Sequence, residues 1–472
     1  MLANMSLNSY RILNSYDEHH REHDLENDNY SMYMRQDREV NSSLSDETEL
    51  PEEDKTEVVG HFQSDCGCKN KTGDTTYSFV QSLDELENIL NLNTRKVIGY
   101  SCAKIFNLNI RKPIPTDYLL NTASARLKIQ NSVYQNITTN CEQFKITRGY
   151  LDSPFTEIEL NFPIAFSIIA YQKVEQIEYL LRAIYRPQNF YCIHMDAKSS
   201  TDDVLTIGKI ASCFENVFLA SRAIAVKWGA FTVLEAELIC MDDLYKKGYW
   251  KYFINLTGQE FPLKTNLELV KILTAMEGAN VVEGRYEMTI KEFSKRWKKA
   301  GPAPHEITPV KGSVHVAINR DFVKFALYDK KSIDFIRWLK KTEIPDETFF
   351  SSLNYNPHLK ISGAFLGDPE EYPLKPTFTR YKNWAVGHGV WTRHCDGKYI
   401  RSICILGVGD LLRVKDDISL FVNKLHLEFQ PLTYRCLEEM IFNRTRDQYK
   451  NQLPIDTTYY SMLDQVRYRI RK

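Results

Sequence analysis

Tyr171 and the triplet His194-Met195-Asp196 stand where two apolar runs stop, and that placement gives them access to a ligand. The first run, Phe162-Pro-Ile-Ala-Phe-Ser-Ile-Ile-Ala-Tyr171, is apolar almost throughout, as a strand buried on both faces should be. The second is Phe190-Tyr-Cys-Ile-His-Met-Asp196. Between them Val174, Ile177, Leu180, Leu181, Ile184 and Tyr185 recur at helical spacing, and Pro187 ends the pattern. Strand, crossover helix and strand make a βαβ unit, and open parallel sheets bind ligands at the carboxyl ends of their strands. The edge formed by Ala170-Tyr171 and His194-Met195-Asp196 suits a nucleotide-type ligand.

The elements that must hold this edge belong to a chain of 472 residues, long enough for one large domain or two ordinary ones. A net charge of −1 hides an asymmetry. Residues 17–57 hold 15 acidic against 4 basic side chains, a balance of −11, and residues 58–472 carry +9. A basic body suits an anionic ligand, as it also suits an ordinary surface of solvated lysines. No basic helix or Lys/Arg-aromatic stripe favours nucleic acid. The acidic segment is rich in Asn, Ser, His and Tyr and has no apolar periodicity, so 1–75 reads as a disordered or flexible stem. No apolar run of about 18 residues predicts a transmembrane helix, and no signal peptide is recognisable.

Downstream, the expected order is a flanking region over 76–158, a catalytic domain over 159–440 and a tail over 441–472. Strands are predicted at 216–220, 252–256 and 313–318, and helices at 231–245, 266–274 and 320–327. Gly258-Gln-Glu-Phe-Pro262 reads as a turn, and the portion beyond about 285 as more irregular. Such alternation argues for the α/β class. Ten cysteines allow pairing in an oxidising compartment, but a long cytosolic enzyme can also carry ten buried thiols. Cys66-Gly-Cys68 is too tight for a zinc pair. Sequons at Asn136 and Asn443 are compatible with secretion.

Phe162–Lys198, Ala211–Arg222, Trp250–Asn266, Ile344-Pro-Asp-Glu347, Cys395–Asp410 and Leu420-Phe-Val-Asn-Lys424 together resemble the core 2/I-branching β-1,6-N-acetylglucosaminyltransferases, over roughly residues 100–440. The resemblance implies a GT-A fold with a mixed, mostly parallel sheet and disulfide-linked flanking segments. It implies an inverting, metal-independent transfer of N-acetylglucosamine from UDP-GlcNAc to a sugar hydroxyl, making a β-1,6 branch on O-glycans of glycoproteins. The setting it implies is the Golgi lumen and a type II membrane protein, from which the lack of an apolar span departs. Carried over residue by residue, the pairing is Cys102–Cys436, Cys141–Cys213, Cys192–Cys240 and Cys395–Cys404. Cys66 and Cys68 lie outside the resemblance, which leaves them to pair with each other, to pair between chains or to stay as free thiols; a homodimer is compatible with it.

The same resemblance distributes the chemistry. A diphosphate leaving group gathers charge that a metal or fixed cations must neutralise. Many GT-A enzymes use an Asp-x-Asp metal site, whereas His194-Met-Asp196 is one acid short, so Arg401 and Lys424 are expected to bind the UDP phosphates and no cofactor is needed. Tyr171, Asp196 and Trp228 are expected around uridine and ribose. Glu347 matches the general base, and Asp346 beside it is expected to cap the helix that follows. Without the resemblance an acid at that place would simply favour the helix dipole. Glu283, Lys291, Arg296 and Trp384 are expected on the acceptor, with Lys295 as the alternative to Lys291 because the intervening segment is longer than usual. Two other readings share these residues: a related branch-type transferase such as a xylosyltransferase, and a catalytically silent relative that binds a glycan.

Overall fold

The continuous apolar runs become the middle of a seven-stranded sheet. The computed structural model describes residues 97, 99–107, 128–153, 155–285, 294–367, 374–375, 377–385, 394–451 and 454–471. The acidic segment, Cys66, Cys68 and Lys291 lie outside these residues. Strands β1 (Ile164–Ala170), β2 (Phe190–Met195), β3 (Val217–Leu219) and β4 (Tyr252–Thr257) are parallel, in the order β3-β2-β1-β4. Beyond β4 the sheet continues through β7 (Gly312–Asn319), β6 (Val281–Arg285) and β8 (Leu374–Lys375), each antiparallel to its neighbour. β7 and β8 therefore run against the other five, a mixed but mostly parallel α/β sheet of the expected class.

Both faces of β1 are buried, and its side chains alternate between two cores. Ile164, Phe166 and Ile168 pack with Ile177, Leu180 and Leu181 of the helix Val174–Ile184. Ala165 faces the other way, with Leu234, Met241 and Leu244 of the helix Phe231–Lys247. Burying each large aliphatic or aromatic side chain contributes about 1.5–3 kcal/mol, so this double coverage fixes the strand that carries the ligand edge.

Four disulfides tie the periphery to this frame: Cys102–Cys436, Cys141–Cys213, Cys192–Cys240 and Cys395–Cys404. These are the pairs that the family resemblance implied. A second sheet of three strands, β5 (Glu260–Pro262), β12 (Phe421–Asn423) and β9 (Arg380–Tyr381), lies in the order β5-β12-β9. A hairpin pairs β10 (Lys398–Ile400) with β11 (Ile403–Ile405).

Four local expectations need correcting. Gly258–Pro262 is not simply a turn, because Glu260–Pro262 becomes β5 once the distant β12 supplies its antiparallel partner. The run opened by Pro345 is not one helix: Pro345–Glu347 is a 3-10 turn, and the helix Phe349–Asn354 starts after Thr348. Asp346 does not cap it, since it is buried and its Oδ1 has no hydrogen-bond partner. The helices Lys330–Leu339 and Pro431–Asn451 occupy stretches read as irregular.

Candidate active site

The carboxyl ends of β1 and β2 deliver Tyr171 and Asp196 to one rim. Asp196 is buried, and its backbone N–H donates to Ala170 O at 2.8 Å. Its carboxylate is held by backbone donors: Lys198 N–H to Oδ1 at 2.8 Å and Val226 N–H to Oδ2 at 3.2 Å. Lys198 Nζ adds a charge 3.5 Å from Oδ2 and also lies 5.6 Å from the centre of the Tyr171 ring. His194 turns inward, its Nε2 accepting from Ile224 N–H at 3.2 Å, and burial pushes its pKa down. Tyr171 is 46% and Trp228 75% exposed, large aromatic faces open to a ligand.

The cations arrive from the far end of the chain. A single carboxamide does much of the joining: Gln176 Nε2 donates to Gly258 O at 2.7 Å and to Leu425 O at 3.1 Å, while its Oε1 accepts from Leu427 N–H at 2.9 Å. Lys424 is thereby pinned beside the start of the helix that follows β1. Leu406 N–H donates to Lys424 O at 3.0 Å, which draws the β10–β11 hairpin to the same place. Arg401 and Ser402 form its two-residue turn, both with positive φ (50° and 62°), the conformation that matches hairpin twist but that non-glycine residues seldom adopt. The Cys395–Cys404 disulfide ties the hairpin's base, and Gly397 is required there because a Cβ would sit 1.9 Å from Ile405 O.

Arg401 is exposed and Lys424 half-buried, and neither side chain makes a hydrogen bond or ion pair with the described residues. Burial holds the Lys424 ammonium below its ordinary pKa; Glu260 opposes that shift and the nearby Arg401 charge adds to it. Two converging cations, one partly desolvated, form an anion site. The one cluster of three metal-ligand groups among the described residues is Cys395, Cys404 and Asp410, and its two sulfurs are bonded to each other.

The loop after β3 runs from this rim to the turn bearing Glu347. Val226 touches Asp196, and Gly229 O, next to Trp228, accepts from Ile344 N–H at 2.9 Å. Glu347 is half-buried; Arg296 Nη1 donates to its Oε2 at 2.8 Å, and Lys311 Nζ lies 3.3 Å from that oxygen. Its Oε1 accepts nothing from the described residues. Burial works to raise its pKa, but Lys311 and Arg296 outweigh burial and hold the carboxylate below the usual glutamate range. Asp346 goes the other way, pushed up to about 7 by burial and by Glu347 beside it. One neighbour is kept ionised while the other titrates near neutrality.

Glu283, at the β6 edge, is 1% exposed. Arg285 Nε donates to its Oε1 at 2.8 Å, and Lys382 Nζ lies 3.6 Å from Oε2. Against burial, Lys382, Lys311 and Arg285 hold it down to about 2. Trp384 is half-buried beside β11, bridged to Ile403, while Cys404 N–H donates to Asn383 O at 2.9 Å. Trp384 thus lies alongside the hairpin whose turn carries Arg401. Sequence reasoning passed over Gln176, Lys311, Lys382 and Glu260; only Lys311 left a signal, as the first of the alternating polar residues Lys311, Ser313 and His315. Asn136 is exposed on the helix Asn131–Ile137, and Asn443 is half-buried in the helix Pro431–Asn451.

Two cations without described partners and an ionised carboxylate, both tied by hydrogen bonds to segments that leave the carboxyl ends of parallel strands, suit group-transfer chemistry. Residues 164–415 match the model of the Core-2/I-Branching enzyme family, and the chain belongs to that family of β-1,6-N-acetylglucosaminyltransferases, with its GT-A-like fold. It is 35% identical to the human β-1,3-galactosyl-O-glycosyl-glycoprotein β-1,6-N-acetylglucosaminyltransferase, over 67% of this chain and 78% of the relative. To the mouse N-acetyllactosaminide β-1,6-N-acetylglucosaminyl-transferase it is 33% identical, over 71% and 86%. A zebrafish (Danio rerio) β-1,3-galactosyl-O-glycosyl-glycoprotein β-1,6-N-acetylglucosaminyltransferase 4 is 32% identical, over 76% and 87%. The enzyme is therefore a glycosyltransferase. No described helix is long and apolar enough to cross a membrane.

Proposed function

We propose that this enzyme transfers N-acetylglucosamine from UDP-GlcNAc to a sugar hydroxyl with inversion, building a β-1,6 branch of the core 2 type on O-glycans. The observation that carries the reading is Glu347: an ionised carboxylate whose Oε1 has no partner among the described residues, in a turn that hydrogen-bonds to the loop leading from the strand edge. In this account the acceptor hydroxyl attacks the anomeric carbon and gives its proton to Glu347 Oε1 as the new C–O bond forms. The bond from the anomeric carbon to the phosphate oxygen breaks, and UDP leaves with the electron pair. Arg401 and Lys424 meet the charge that develops on the diphosphate, so the step needs no metal. Tyr171, Trp228 and Asp196 border the nucleoside. Arg296 and Trp384 face the acceptor, and Glu283 acts there through Arg285 and Lys382.

Four disulfides and the exposed Asn136 sequon support a luminal, oxidising compartment, for which the Golgi lumen is our assignment. Glu347→Gln tests the mechanism. It keeps the shape of the turn and removes the base, so kcat should fall by about 10²–10⁴ while UDP affinity stays within about twofold by calorimetry. Unchanged turnover would sink the assignment.

A further inference from the structure

One face of β7 carries polar side chains that reach the base at one end and, through Glu260 and Asn423, the neighbourhood of Lys424 at the other. Lys311, just before the strand, and Ser313 and His315 within it alternate, so their side chains share a face. Lys311 touches Glu347, as described. Ser313 Oγ accepts from Lys382 Nζ at 3.0 Å and from the His315 backbone N–H at 3.3 Å. A hydroxyl has one proton to give, and the partner left for it is His315 Nδ1, 3.2 Å away. That makes Nδ1 the acceptor and puts the ring proton on Nε2, which lies 3.0 Å from Glu260 Oε1. Burial holds the imidazole down to about 4 despite Glu260, so the ring is neutral.

Glu260 is fully buried, and His315 is one of three groups that hold it. Arg380 Nε donates to its Oε2 at 2.7 Å, and Asn423 Nδ2 to its Oε1 at 2.9 Å. Asn423 immediately precedes Lys424, and Glu260 is the negative charge that favours the Lys424 ammonium. At the other end of the run, Lys382 also lies 3.6 Å from Glu283.

We propose that His315 is a positioning residue for the donor diphosphate: as a neutral Nε2–H donor it fixes Glu260, which orients Lys424 through Asn423 and through its own charge. The inference rests on the donor reading above. His315 touches no substrate; it acts through Glu260, and Ser313 and Lys382 fix its tautomer. One strand face then sets the base, the acceptor-side acid and the phosphate cation in register.

The test is a double-mutant cycle read by calorimetry with UDP, alongside thermal melting of each variant. His315→Phe should weaken UDP binding about tenfold in the wild-type background and by less than twofold in Lys424→Ala. His315→Gln, which restores an N–H donor, should bind UDP within about threefold of the parent. Should His315→Phe fail to fold, Ser313→Ala replaces it in the same cycle, with an expected loss of about threefold that Lys424→Ala again abolishes. Equal losses in both backgrounds, or none, would overturn the role of His315. No UDP binding by the unsubstituted protein would instead overturn the donor reading itself.

Discussion

At the scale of residues, the site depends on which charges are satisfied and which are not. Glu260 and Glu283 have cations against them and sit low, at about 2, whereas Arg401 and Lys424 have no partner among the described residues. An unpaired, partly desolvated lysine beside an arginine gains most when an anion arrives. Arg401→Ala and Lys424→Ala should each weaken UDP binding by about 10–100-fold, as expected for losing one charge-assisted hydrogen bond. Titration calorimetry checks this, and affinities within twofold of the parent would mean that the phosphates bind elsewhere. The sequence made these two cations visible only through family resemblance, since a lone arginine or lysine is ordinarily a solvated surface charge. The polar alternation at Lys311 marked a strand face but not a role, and Lys382 left no signal, because their meaning depends on Glu347 and Glu283, which folding brings from a distant turn and strand.

At the scale of elements, the βαβ unit could be read from the sequence alone because its signals are local. A continuous apolar run, a helical period and Pro187 all act within a few residues. The second sheet could not be read this way: β5, β9 and β12 are three residues or fewer, and each is a strand only because the others supply its hydrogen bonds. Asp346 failed as a cap for a related reason, as the helix begins three residues later, at Phe349, and burial, not capping, decides the acid's state. Burial also governs Glu237 on the helix Phe231–Lys247, which accepts from Ser167 Oγ and is pushed up to about 7. Its folded pKa lies above the ordinary glutamate value of 4.5, so folding favours the protonated form. The stabilisation is full below pH 4.5 and is lost as pH rises to about 7, on the order of 3 kcal/mol in all. Glu237→Gln should therefore raise Tm relative to the parent more at pH 8 than at pH 5, and a pH-independent difference would contradict this.

At the scale of the whole molecule, the active site joins residues that the chain keeps far apart. Gln176 reaches Leu425 across 249 positions, and Cys102 is bonded to Cys436 across 334. No spacing rule could have chosen that pairing among ten cysteines; the family resemblance supplied it. In the loop-entropy account, closing so long a loop stabilises the fold by about 5 kcal/mol. Replacing both Cys102 and Cys436 by Ala should lower Tm and bring the denaturant midpoint down with it, and an unchanged midpoint would show that the bridge adds nothing. The same closure brings the strand edge near residue 170 to the unpaired cations beyond residue 400, as the proposed donor site requires.

The central claim is the reaction, and product analysis tests it most directly. The purified protein, in excess EDTA, is given UDP-GlcNAc and either a β-1,3-galactosyl-O-glycosyl peptide or an N-acetyllactosamine oligomer, and the linkage of the product is determined by NMR. The account predicts one new N-acetylglucosamine, β-linked to a 6-hydroxyl of the β-1,3-galactosyl-O-glycosyl acceptor, formed equally well without divalent cations. An α-linked product, attachment at another hydroxyl, or transfer that appears only when manganese is restored would contradict it.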